Sequence, residues 1–138
     1  MNKQQIHVFI GTKAQYIKVA MVLKALEEKG ITYNLIDSGQ HGNISRMYRK
    51  YFQIKEPDYF IRKEQKDIKT ISTLILWMVQ FFFIWLFQPK KIFNEFFKKQ
   101  KGVCLIHGDT PTTLLSALAA KRVGIKVVHL ESGLRSYS

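Results

Sequence analysis

Cysteine is almost missing from this chain: Cys104 is the only one, so no disulfide framework can form. That suits a reducing compartment, and Cys104, inside an apolar run, reads as a small core residue. The four histidines are scattered and Cys104 has no partner at ligand spacing, so neither a metal centre nor a cofactor is expected. Three prolines and eight glycines in 138 residues leave no linker or low-complexity tract, and no internal repeat is present; one globular domain over residues 1–138 is expected. The opening Met1-Asn2-Lys3-Gln4-Gln5 lacks the apolar stretch and small-residue cleavage site of a secretory signal, so a cytoplasmic location is expected. Carboxylates are scarce, ten against 22 lysines and arginines. The net charge of +12 favours anionic partners. Beyond charge there is no nucleic-acid signature, so no nucleic-acid partner is expected.

Apolar runs alternate with helical periodicity. Residues 6–10, 32–37, 59–61, 103–106 and 127–130 read as strands. Helices are predicted at 14–29, closed by Gly30; at 43–52, with Asn43 as a potential N-cap; and at 112–122, opened by Thr110-Pro111. A lysine-rich amphipathic helix is predicted at 92–99, after the breaker Pro89. Strands alternating with helices imply a parallel α/β sheet with right-handed crossovers. If the first three strands run one way across the sheet and the later strands the other, the point where strand order reverses falls between the first strand and 103–106.

Four polar motifs follow strands: Gly11-Thr12-Lys13, Gly39-Gln40-His41, His107-Gly108-Asp109-Thr110 and Glu131-Ser132-Gly133-Leu134-Arg135. In a parallel sheet they converge on the carboxyl edge, where ligands bind. In this order and spacing, together with Ala14-Gln15-Tyr16-Ile17-Lys18 and Pro111-Thr112-Thr113, the chain resembles the N-terminal half of the non-hydrolysing UDP-N-acetylglucosamine 2-epimerases. The resemblance implies a Rossmann-like parallel sheet flanked by helices, one half of a GT-B arrangement, with the C-terminal nucleotide-binding domain absent from these residues. It also implies a UDP-sugar substrate, UDP-GlcNAc converted to UDP-ManNAc for surface polysaccharide, by elimination of UDP and re-addition. Two departures stand out: Lys13 where the family has Arg, and neutral Gln15 where it has Glu.

The implied chemistry needs groups that take and return a proton at carbon 2. Asp109 and Glu131 match the family's acid/base positions, and burial with mutual repulsion is expected to raise their pKa values. Asp109 has a second reading, as a helix cap. Lys13 and Lys18 match cation positions near the phosphates; Lys18 also reads as a solvated surface lysine. Gln40 and His41 are candidates for contacting substrate or a regulatory nucleotide, His41 equally for a turn histidine. Arg135 is a candidate substrate ligand. His107 and His129 read as buried residues at strand ends.

Between Lys69 and Lys90 no charge occurs, and Ile71 to Phe87 is apolar all round. Trp77, Trp85 and the flanking lysines have a membrane-like look. Three readings stand: an interface within a homodimer or with a separate C-terminal half, contact with a membrane surface peripheral to its inner face, or a true span. Alongside the enzyme half stands a rival of another class, a membrane-docked non-catalytic subunit of a split GT-B-type glycosyltransferase.

Overall fold

The computed structural model describes residues 4–63 and 66–131. A five-stranded parallel sheet runs through the molecule in the order β3-β2-β1-β4-β5. The strands are β1 (Gln5–Ile10), β2 (Tyr33–Asp37), β3 (Tyr59–Phe60), β4 (Gly102–His107) and β5 (Lys126–Leu130). The reversal of strand order lies between β1 and β4, which pair from Gln5 with Gly102 to Val8 with Leu105.

Both faces of the sheet are covered, so the central strands are buried on alternating sides. Val8, Ile10 and Leu35 pack beneath α1 (Lys13–Glu28) and α2 (Gly42–Phe52), with Tyr16, Val19 and Leu23 of α1. Phe9, Ile36, Cys104 and Ile106 point the other way, onto α3 (Ile71–Phe87) and α5 (Pro111–Arg122). Cys104 is a core residue as expected, and burial pushes its thiol up to about 12.

The helix starts correct the sequence at one place. In α1, Thr12 and Gln15 form a reciprocal capping box, and in α5 Thr110 caps with Pro111 behind it. In α2, however, Asn43 lies inside the first turn rather than at the cap. Its backbone N–H is satisfied by the Asp67 carboxylate at 3.0 Å, from the segment leading into α3.

The lysine-rich helix expected over 92–99 is also different. A single turn, α4 (Pro89–Lys91), widens into a π-helical turn (Ile92–Phe96). Ile92, Phe96 and Phe97 are all buried, and the Phe97 N–H bonds the Ile92 carbonyl five residues back. Lys98 and Lys99 then take left-handed backbone and leave the helix.

Of α3, only Trp77 and Phe81 are buried, with Leu74, Met78, Ile84 and Trp85 partly so. Trp85 donates its indole N–H to the Leu118 carbonyl of α5 at 3.1 Å. The two tryptophans that looked like membrane anchors are thus tied to the fold. Among the described residues no single helix is long and apolar enough to cross a membrane, and the chain bends by 95° between α3 and the segment Pro89–Phe96. β4, which follows α3 in the chain, pairs in one sheet with β1, which precedes it, and this argues against a span.

Candidate functional site at the carboxyl edge

The loops after β1, β2 and β4 are cross-linked at the carboxyl edge. Gln15, fully buried at the start of α1, accepts from Thr12 N–H at 3.1 Å. Its amide nitrogen donates to the His107 carbonyl at 2.9 Å and also reaches Thr113 Oγ1 at 3.1 Å and Thr110 Oγ1 at 3.2 Å. A carboxylate could not donate to that carbonyl, so the neutral Gln suits this junction. Thr112 Oγ1 donates to Gln40 Oε1 at 2.7 Å and meets Ser38 Oγ at 3.0 Å. His41 N–H bonds the Gly11 carbonyl at 3.1 Å. The approach leaves no room at Gly11, where a Cβ would stand 1.8 Å from Ser38 Oγ.

Around this junction the candidate residues fall into two groups. In the first, His107 Nε2 stands 3.0 Å from Glu131 Oε2, and Lys18 Nζ lies 3.5 Å from Glu131 Oε1. The His107 hydrogen bond, then Lys18, hold the Glu131 carboxyl below its ordinary range. The expected upward shift is therefore reversed for Glu131: the group is solvent-exposed, and a hydrogen-bonding histidine and a lysine, rather than a second carboxylate, surround it. Asp109 is exposed one strand away and makes no hydrogen bond or ion pair among the described residues. Its reading as a helix cap is not met, because Thr110 fills that position with a 3.4 Å bond from Thr113 N–H.

The second group lies toward β2. Lys13 extends over the Tyr48 ring of α2, 5.9 Å from its centroid, and its backbone N–H points at His41 Nδ1 at 3.4 Å. Lys18, not Lys13, is thus the cation at Glu131. Gln40 is buried and its side-chain oxygen is committed to Thr112. Arg135 lies outside the described residues, as do Ser132, Gly133 and Leu134. His107 is buried as expected, whereas His129 is exposed on the edge strand β5, where its Nε2 meets the Gly108 carbonyl at 2.7 Å.

Sequence reasoning missed what holds the Gly39-Gln40-His41 turn. Asp37 ends β2, fully buried, and its Oδ1 accepts the Gly39 N–H at 2.8 Å. Its Oδ2 takes Tyr16 Oη at 2.6 Å and Arg49 Nη1 at 3.3 Å. Burial lifts the Asp37 carboxyl above its usual range, against these donors. The available signal was Asp37 itself, a charge ending an apolar strand, which demands a partner. Beside the turn lies a cavity of about 500 Å³ lined by Arg46, Arg62 and Lys63 among others; neither Asp109 nor Glu131 borders it.

The arrangement offers an ionised carboxylate with a histidine and a lysine on it, a free carboxylate at the neighbouring strand end, and two helix starts, α1 and α5, whose N–H groups favour phosphate. A family model described as UDP-N-acetylglucosamine 2-epimerase matches residues 24–138. The UDP-N-acetylglucosamine 2-epimerase of Campylobacter jejuni is 32% identical over 138 residues, covering 98% of this chain and 32% of the relative. The UDP-2,3-diacetamido-2,3-dideoxy-D-glucuronate 2-epimerase of Pseudomonas aeruginosa is 30% identical over 137 residues, covering 97% and 35%. Among solved structures, the UDP-GlcNAc 2-epimerase from Neisseria meningitidis bound to UDP-GlcNAc superposes with a TM-score of 0.69 at 27% identity, over 97% of this chain and 34% of that one. The S. aureus MnaA–UDP co-structure gives 0.71 at 28% identity, over 99% and 33%. The chain spans about a third of the length of these relatives.

Proposed function

The chain belongs to the UDP-N-acetylglucosamine 2-epimerase family, and we propose that it forms the sugar-facing wall of an enzyme that inverts carbon 2 of a UDP-N-acetylhexosamine. The observation that carries this is the Lys18–Glu131–His107 group one strand from the free Asp109. Glu131, held ionised, removes the carbon 2 proton. The C–H electron pair forms the C1=C2 bond, and the C1–O bond to UDP breaks with UDP as leaving group. Re-addition of UDP at C1, with a proton delivered to the opposite face of C2, gives the epimer. Asp109 is the second proton-transfer group. Lys13, Lys18, Gln40, His41 and Arg135 bind the substrate, with the starts of α1 and α5 helping to hold the diphosphate.

Proximity and water exclusion supply much of such a rate, and both need a second wall to the cleft. The working enzyme therefore includes a C-terminal half, continuous or separately encoded. Its product would feed surface polysaccharide synthesis. The test is NMR detection of UDP-ManNAc from UDP-GlcNAc. The complete protein should turn over and lose activity in Asp109→Asn and Glu131→Gln, while residues 1–138 alone should show none. Full activity in both variants would refute the assignment.

One observation favours a second reading. The exposed apolar face of α3 supports a contact outside the fold, either with a second subunit in a homodimer or with a membrane surface on the cytoplasmic side. A membrane-docked subunit of a split glycosyltransferase would use such a face.

A further inference from the structure

The two strands that end in the carboxylates are tied together by more than their ladder. β4 and β5 pair from Val103 with Lys126 to His107 with Leu130, and both chains leave the ladder at the next residue. Each exit is left-handed: φ is 78° at Gly108 and 59° at Glu131. A Cβ disfavours that region, so Glu131 stays there only where its surroundings hold it. The histidine of the neighbouring strand grips each exit. His107 of β4 reaches across to the Glu131 carboxylate at 3.0 Å. His129 of β5 reaches back to the Gly108 carbonyl at 2.7 Å. The two contacts run in opposite directions between the same two strands.

The sheet does not need these contacts, since the ladder already spans five residues of each strand. Their partners fix their sense. A carbonyl only accepts, and so does the ionised Glu131 carboxylate, so each ring carries its proton on Nε2. Nδ1 of His107 is buried with no partner among the described residues, so no acceptor draws the proton to that side. On the other flank the His107 carbonyl takes Gln15 Nε2 at 2.9 Å and Thr113 Oγ1 at 2.7 Å. Two successive carbonyls are thus held, one from α1 and α5, the other from β5. Asp109 comes next, and its exposed carboxylate makes no bond of its own among the described residues. Its place is therefore set through its backbone.

We propose that His129 and His107 are positioning residues that fix the separation of the two proton-transfer carboxylates. His129 acts on Asp109 through the Gly108 carbonyl, and His107 acts on Glu131 directly. The proposal rests on reading Asp109 and Glu131 as that pair. Inversion at carbon 2 takes a proton from one face and returns one to the other, so the two carboxyl groups must keep one spacing across a sugar ring. Without His129, Glu131 still removes the proton and UDP still leaves, but the unsaturated sugar then meets a displaced Asp109. A misplacement of about 1 Å costs about a hundredfold in rate.

The experiment compares His129→Leu, His129→Gln and Asp109→Asn in the complete protein acting on UDP-GlcNAc, with UDP-ManNAc and free UDP followed together. His129→Leu should lower kcat by about a hundredfold with little change in KM, because Asp109 is placed for proton return rather than for binding. It should also release UDP and the unsaturated sugar in excess of UDP-ManNAc. His129→Gln keeps an N–H at similar reach and should recover most of the loss. Ring ¹⁵N spectra of the full chain give a readout independent of turnover. His129 should carry its proton on Nε2, and the Asp109 amide, which shares the Gly108 peptide bond, should shift in His129→Leu. Three results would overturn the proposal: wild-type kcat in His129→Leu where Asp109→Asn is inactive, a loss that lies wholly in KM, or an unprotonated His129 Nε2. Full activity in Asp109→Asn would instead remove the carboxylate pairing beneath it.

Discussion

Replacing Arg49 by Met strands a charge. Arg49 is 5% exposed and Asp37 1%, and Arg49 Nη1 bridges Asp37 Oδ2 at 3.3 Å and Tyr16 Oη at 2.9 Å. Methionine restores the apolar bulk but leaves the Asp37 carboxylate without its cation. Losing one partner of a buried pair costs about 3–5 kcal/mol. Tyr16 Oη and the Gly39 N–H still donate to Asp37, so the lower end, about 3 kcal/mol, is expected. With a urea m-value of about 1–3 kcal/mol/M, the unfolding midpoint falls by about 1–3 M. Burial already raises the Asp37 pKa, and Arg49→Met raises it further. A raised carboxyl pKa favours the folded state below the unfolded value and costs stability as pH rises toward the folded one. The deficit should therefore shrink as pH falls toward the ordinary carboxylate range. Adding Asp37→Asn should recover part of the loss, since the amide oxygen can still accept from Gly39. Urea titration followed by circular dichroism gives all three numbers. A loss under about 1 kcal/mol, a deficit unmoved by acid, or a double variant no better than the single would show that Arg49 does not hold the Asp37 charge.

Burial depresses the pKa of His7, whose Nδ1 faces Asn34 Nδ2 at 2.9 Å and whose Nε2 faces the Gln100 carbonyl at 3.1 Å. The unfolded chain then takes up the proton more readily, so stability should fall as pH drops below about 6.5. A non-titrating His7→Met should lose that slope in urea titrations across pH; an unchanged slope would assign it elsewhere. Gly11→Ala sets a Cβ against Ser38 and should cost about 1–3 kcal/mol, read as a lowered Tm. Adding Ser38→Gly should recover much of it, and a neutral Gly11→Ala would contradict the packing. The Glu131 carboxyl should titrate below ordinary glutamates by ¹³C NMR and move up in Lys18→Met. A midpoint unmoved by that change would remove Lys18 from the site.

The strands were legible because four of the five are short apolar runs ended by a polar motif. The one-residue alternation of Val8, Phe9 and Ile10 between two cores then leaves a doubly covered sheet as the solution. What was hidden depended on distant partners. Asn43 is displaced from the cap because Asp67, 24 residues on, supplies the acceptor. The helix expected through Lys99 breaks because Ile92, Phe96 and Phe97 must all reach one core, a demand that three- and four-residue spacing cannot express. At the site, Asp109 and Glu131 were visible as residue types at strand ends. The direction of the Glu131 shift was not, since it depends on Lys18 reaching across from α1 and His107 from β4. The Asp37–Tyr16–Arg49 network escaped because its members lie on three elements with no shared spacing.

On the reading proposed above, the carboxyl edge of this sheet receives a nucleotide sugar. That binding is tested most directly by titrating UDP-GlcNAc into ¹⁵N-labelled chain and mapping the amide shifts. Saturable changes are expected at Thr12, Lys13, Lys18, Gly108, Asp109 and Glu131, weakened by salt and by Lys18→Met. Saturable shifts confined to the α3 face or the far edge of the sheet, or no shifts at millimolar ligand, would contradict it.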